Sequence, residues 1–276
     1  RSWKNVSVND LNTRLRKLTS MSLLKILLSF SLLASAFAEP FQPKFYAFQN
    51  GVNFKNPAAT LKELGFDGIS QVRAHPTGLP DQVQSFEAAG LKVLSIYLNV
   101  NDKPIEPATV QALANRDALI ELTIQKMNPM TVEAVRQTAA MAKKLKIKVA
   151  LYPHHGFAVA TMPQAMDLIE KVNHPNLGVM FNLCHFLKNE DPKTIETTLG
   201  KAGSKLFAVS TCGADLGGES WNQLIQPLDK GDFPQERLFR ALNSLKFSGP
   251  VGLQCYAIKG DKHDNLQKSM GAWKTI

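Results

Sequence analysis

Eight short apolar runs alternate with eight longer amphipathic stretches over residues 44–273, and an alternation this long and regular leaves few folds open. The apolar runs, rich in β-branched residues, lie at 44–48, 68–72, 92–97, 118–124, 148–152, 178–182, 206–211 and 251–256. Between them, stretches at 57–64, 80–89, 107–114, 131–145, 162–172, 192–202, 234–245 and 262–273 carry apolar residues at helical spacing. Several open with proline in the first turn and several close on glycine. Eight uninterrupted βα units predict a single α/β domain, a (β/α)8 TIM barrel whose parallel strands are covered outside by helices. The alternative, a doubly wound open sheet, normally carries a glycine-rich phosphate loop after its first strand. That turn here reads FQNGVNFKNP and has no such pattern. The barrel is expected to occupy residues 39–276, without a linker or low-complexity run.

Two segments precede it. Residues 1–20 start at Arg1, are polar and basic, and show no apolar period, so they are expected to be translated upstream sequence or a cloning remnant. From Met21 the chain reads MSLLKILLSFSLLASAFA, with one lysine, an apolar run and the small-x-small site Ala36-Phe37-Ala38. This is the pattern of a secretory signal peptide over residues 21–38. Its apolar core is roughly a dozen residues, against the ~20 that span a bilayer, so cleavage is expected rather than a stable membrane anchor. The mature protein is expected to be exported, periplasmic or secreted.

Removing that leader takes away six basic residues and one acidic one, and lowers the formal charge from +9 to +4. The high pI therefore belongs largely to the leader. The remaining charge forms no Lys/Arg-dense helix and no basic-aromatic stripe, which argues against nucleic acid as a partner. Three cysteines remain, Cys184, Cys212 and Cys255, too few and odd in number for a disulfide framework.

In a barrel the reactive groups sit just past the carboxyl ends of the strands, where the loops line the open mouth. The residues so placed are unusually polar. Four of the six histidines, His75, His154, His155 and His185, fall there. Histidine moves protons or binds metals near neutral pH, and His154 and His185 end adjacent strands, so both are candidate catalytic groups. Glu121, which interrupts the apolar run ALIELTI, is the third catalytic candidate, either placed on the rim as a base or turned into the barrel with a structural partner such as Arg73. Arg73, Tyr97, Tyr152, His155, Asn182, Gln254 and Lys259 are the candidate substrate contacts. Asn182 and Gln254 offer amides that both donate and accept hydrogen bonds, yet cannot act as general bases. A transition metal held by His154, His185 and Cys212 is the weaker alternative to a metal-free site.

Four stretches also carry a family resemblance: NPAATLKELGFDGI, VALYPHHG, GVMFNLCHFLKNED and the closing IQPLDKGDFPQERLFRALNSLKFSGPVGLQCY. In these the chain resembles the xylose isomerase-like barrels, which include sugar-phosphate isomerases and epimerases, inosose dehydratases and type-IV endonucleases. The resemblance implies a divalent metal held by Glu, Asp, His and Glu at the ends of strands five to eight. The matching positions here are Tyr152, Asn182, Ser210 or Thr211, and Gln254, while the family's histidine after strand six survives as His185. With those carboxylates replaced, no cofactor is expected, since hard-cation binding depends on their charge.

Two functions follow as expectations. One is an isomerase, epimerase or lyase that moves a proton beside a sugar carbonyl without the family's metal. The other is a catalytically silent barrel that binds a sugar or a partner protein. A small carbohydrate is the expected ligand in either case, and self-association into a homo-oligomer stays open.

Overall fold

The computed structural model describes residues 41–73 and 78–276. The expected leader segments lie outside the described residues. Ten hydrogen-bonded segments, all parallel, form the sheet, and they reduce to eight strands because two strands are interrupted. These are β1 (Phe45–Phe48), β2 (Gly68–Ser70 and Val72–Arg73), β3 (Lys92–Val93 and Ser95–Asn99) and β4 (Leu119–Thr123). The second half comprises β5 (Lys148–Leu151), β6 (Leu177–Asn182), β7 (Leu206–Thr211) and β8 (Val251–Leu253). β1 pairs with both β2 and β8, and both segments of β2 pair with β3, so the ring closes as the sequence predicts.

The interruption in β2 falls at Gln71, a non-glycine residue with φ of 53°. Its backbone N–H leaves the ladder and donates to the Ser95 hydroxyl at 2.7 Å. Close strand approach nearby needs Gly68, where φ is +149° and a Cβ would lie 1.9 Å from the Lys92 carbonyl oxygen.

The helices are α1 (Pro57–Leu64), α2 (Leu79–Ala88), α3 (Pro107–Val110), α4 (Thr131–Lys144) and α5 (Met162–Val172), followed by α6 (Leu183–Asn189) and α7 (Ile195–Ala202). The last three are α8 (Trp221–Leu224), α9 (Gln235–Ser244) and α10 (Lys262–Trp273). α6 and α8 sit within strand-to-helix connections that the periodicity reads as loops. Among the described residues no helix is long and apolar enough to cross a membrane.

The strands' two-residue period sorts the core. Tyr46 and Phe48, Leu119, Ala150 and Tyr152, Met180 and Ala208 pack together inside the barrel. Alternate residues such as Val149, Leu151, Val179 and Val209 are also fully buried, as expected for strands covered outside by helices. Helix entry points are defined by side chains. At α5, Thr161 accepts from the Gln164 N–H at 3.3 Å while Gln164 accepts from the Thr161 N–H at 3.1 Å. Replacing Thr161 with alanine leaves the Gln164 N–H without its cap and is expected to cost about 1 kcal/mol, read from the denaturant midpoint.

A candidate active site at the barrel mouth

The carboxyl ends of the strands open on a cavity of about 650 Å³. One arc of its wall comes from β5 and β6, with Tyr152, His154, His155 and His185 beside Trp221 of α8. The other arc comes from β8, β1 and β2, with Gln254, Gln49, Asn50, Gln71 and Arg73, and from Lys262 at the start of α10. β1 and β5 stand four strands apart either way round the ring, so the two arcs face one another.

Local sequence sets each histidine. Asn182 ends β6 in extended conformation and the chain turns at once into α6, whose first turn carries His185 with 5% of its surface exposed. Pro153 follows β5 and leads into the His154-His155-Gly156 turn, where Gly156 takes φ of +83°. α8 forms because Ser220 and Gln223 make a reciprocal capping box, which brings Trp221 to 5.3 Å from the His185 ring and 5.7 Å from His155.

The hydrogen bonds assign the histidine protons. His154 Nδ1 lies 2.8 Å from the His155 carbonyl oxygen, which only accepts, so Nδ1 carries the proton and Nε2 keeps its lone pair. His185 is the reverse. Its Nδ1 accepts the His155 backbone N–H at 3.3 Å, which leaves the proton on Nε2. The two rings are 4.1 Å apart and tilted by 42°. Burial lowers the pKa of His154 below its usual 6.5. Burial, aided by His154 and His155, pushes His185 down to about 2. At neutral pH a basic nitrogen thus stands beside an N–H donor, with neither ring charged. His155 is held differently: its Nδ1 donates to Asn189 Oδ1 at 2.5 Å, and Asn189 in turn donates to the Ala160 carbonyl at 2.9 Å.

Below the histidines lie three of the positions that the resemblance assigns to metal ligands. Asn182 and Gln254 both donate through their amides to the Tyr152 hydroxyl, the latter at 3.3 Å. Gln254 Oε1 accepts from Asn50 at 3.1 Å, and the Cys184 thiol donates to Asn182 Oδ1 at 3.2 Å. At the fourth position, Thr211 donates to Gln235 at 2.7 Å, while the neighbouring Ser210 hydroxyl is buried without a partner among the described residues. Deeper still, Glu121 is 1% exposed, in register with Tyr97 and Ala150. Ser95 donates to one of its oxygens at 2.5 Å and Gln71 to the other at 3.1 Å. Burial outweighs those bonds and raises its pKa to about 7.

The structure therefore brings Arg73, Tyr97, Tyr152, His154, His155, His185 and Gln254 into one wall, with Asn182 directly behind it. Glu121 reaches the cavity only through Gln71. Lys259 is exposed and outside the lining, where Lys262, one turn further on, takes the corresponding position. Cys212 packs away from the histidines, in an apolar cluster with Cys184, Leu224 and Ile225, and its thiol donates to the Leu224 carbonyl at 3.3 Å. Among the described residues the only three-membered group with ligand atoms mutually within 4.8 Å is Asp261, His263 and Asp264, at the surface. His75 lies outside the described residues. Sequence reasoning missed Gln71, Asn189, Trp221 and Lys262. The S-x-x-Q pattern ahead of Leu224 was the available signal for α8 and its tryptophan.

Comparison with known proteins gives consistent results. The family model described as a xylose isomerase-like TIM barrel matches residues 123–276, more than half of the chain. A probable ketose 3-epimerase from Synechocystis sp. is 24% identical over 155 residues, which are 55% of this chain and 49% of that protein. The chain thus spans about half the length of this curated relative. Among solved structures, 3-keto-D-glucoside 4-epimerase from E. coli superimposes with a TM-score of 0.68 at 17% identity, covering 85% of this chain and all of that one. The probable 3-DHS dehydratase from Bacillus anthracis gives 0.68 at 14% identity, covering 84% and 98%. At such identities these superpositions show the fold alone.

Proposed function

The chain belongs to the xylose isomerase-like TIM barrel family, and from that premise we propose that it moves a proton on a carbon beside a sugar carbonyl, as an epimerase or isomerase does. The observation that carries this reading is the complementary histidine pair, a free Nε2 on His154 beside an Nε2–H on His185. His154 takes the proton from the carbon next to the carbonyl, and the C–H electrons pass into that carbonyl. The developing oxyanion accepts from His185 Nε2–H, a neutral donor already oriented by a backbone N–H. Protonated His154 then returns the proton, either to the other face of the turned-over intermediate as the carbonyl re-forms, or to the neighbouring carbon as the hydroxyl proton of the first carbon passes to the oxyanion. No oxidant is consumed. The curated relative supports this reading, because a ketose 3-epimerase acts at a carbon beside the carbonyl.

The divalent metal implied by the family does not fit these residues. Tyr152, Asn182 and Gln254 are neutral, and both amides donate to the Tyr152 hydroxyl where charged oxygens would be needed, so the proton transfer rests on protein groups. The test is NMR of a ketose panel incubated with the protein in deuterated water. Deuterium is expected to enter a carbon next to the carbonyl, at a rate unchanged by prior dialysis against a chelator. The neutral tyrosine-amide cluster favours a second reading, a sugar-binding barrel without chemistry. Saturable binding with no exchange across the panel would establish that one instead. Export through residues 21–38, with residues 39–276 as the mature barrel, completes the proposal, and N-terminal sequencing of protein recovered outside the cytoplasm tests it.

A further inference from the structure

We propose that the cavity selects a sugar acid, whose carboxylate lies against Arg73 and Lys262 while its carbonyl end faces His154 and His185. This rests on the proton-transfer reading above and names its substrate class.

The charges are the first reason. Among the described residues, Arg73 and Lys262 are the charged side chains lining the cavity, and no aspartate or glutamate lines it. Glu121 lies beneath the floor, and Asp261 and Asp264, on either side of Lys262 in sequence, stay exposed outside the lining. Neither cation has a carboxylate within 4.0 Å among the described residues. Lys262 spends one donor on the Asn50 carbonyl at 3.2 Å, and Arg73 is held by its backbone N–H, which donates to Gln49 at 2.7 Å. Among the described residues the guanidinium fork has no hydrogen-bond partner, which leaves it for a ligand. Two uncompensated cations beside a concave, partly apolar wall raise the local concentration of anions, and the planar fork matches a carboxylate through two parallel bonds.

Placement is the second reason. The cations flank β1 on β2 and after β8, whereas the histidines follow β5 and β6 across the mouth. A ligand that meets both must be charged at one end and reactive at the other. Asn50, between the cations, has a buried Oδ1 with no donor among the described residues, an acceptor suited to a sugar hydroxyl. The volume of about 650 Å³ lies within the range for small-molecule sites.

Calorimetric titration of the full chain with D-glucuronate, D-galacturonate, the parent hexoses and D-glucose 6-phosphate tests this. At least one uronate is expected to bind about tenfold or more tightly than its parent, with the preference falling as salt rises. Arg73→Gln and Lys262→Gln together are expected to erase the preference by lowering uronate affinity about tenfold or more relative to hexose affinity, with each single variant in between. Equal binding of uronate and parent overturns the proposal, as does a preference that survives the double variant. A preference for the 6-phosphate alone overturns the carboxylate assignment. The two readings fail separately. Selective uronate binding without deuterium exchange removes the chemistry and keeps this inference, whereas equal exchange into neutral and acidic sugars removes this inference alone.

Discussion

Replacing His154 with alanine is expected to lower the rate of solvent-deuterium exchange into the sugar by roughly 10²–10⁴-fold, the usual contribution of a positioned general base. The ring is half-buried against Phe157, 4.1 Å away and nearly parallel, so its loss leaves a gap at the rim rather than in the core. The thermal midpoint therefore moves little, and binding of unreacted sugar persists. His185→Gln makes the informative comparison, because an amide keeps an N–H donor near the oxyanion and is expected to fall less far. The pH profile separates the two rings. His154 acts as a base only when neutral, so the rate rises with pH through its pKa, and the acid limb of the profile lies below pH 6.5. His185, at about 2, stays neutral across that range and adds no limb of its own. An alanine variant with unimpaired exchange, or a limb centred well above 6.5, would sink the assignment of His154 as the base.

The second large effect is on stability and comes from Glu121. Its carboxyl stands at about 7 in the folded protein against an ordinary value of 4.5. Between those two pH values the folded state holds a proton that the unfolded chain has already released. The favourable contribution is complete below pH 4.5, declines as pH rises, and is lost above pH 7. At ~1.4 kcal/mol per pKa unit the loss is roughly 3 kcal/mol. Glu121→Gln removes it. The amide reproduces the protonated acid, accepting from Ser95 and donating to Gln71 once the Gln71 amide turns over. Wild type and variant are therefore expected to match near pH 4, with the variant more stable by up to roughly 3 kcal/mol at pH 8. Urea unfolding at both pH values measures this, and a difference that does not change with pH refutes it. The acid limb of the rate profile should stay in place in this variant, which separates Glu121 from His154 as the source of that limb.

Much of this molecule is legible in the sequence because much of it is periodic. The eight strands and the helices at 57–64, 162–172 and 262–273 follow from spacing, prolines and glycines alone. Strand-end position, a local property, also finds most of the cavity wall. The details that decide chemistry are not local. Glu121 meets Ser95 and Gln71 through strand register, across 26 and 50 residues, and no spacing announces it. The tautomers of His154 and His185 depend on which groups of His155 each one meets. Lys262 reaches the mouth where Lys259 does not because Lys259 lies in the exposed loop before α10, while Lys262 opens the helix and donates to the Asn50 carbonyl, a contact across 212 residues. α6 and α8 were hidden for a further reason: at seven and four residues they are too short to show a period.

One junction governs the order in which this chain can become a protein. β1 takes its partner on one side from β8, pairing Phe45 with Val251, and Phe45 also stacks on Trp273 with ring centroids 4.0 Å apart. Some two hundred residues must therefore leave the ribosome after β1 before its second edge is covered, and the last helix must follow before the stack is made. Until then the earliest strand has an open side. The ring is sealed only once β8 and α10 have emerged, so a nascent chain stays unlocked through the synthesis of every strand between.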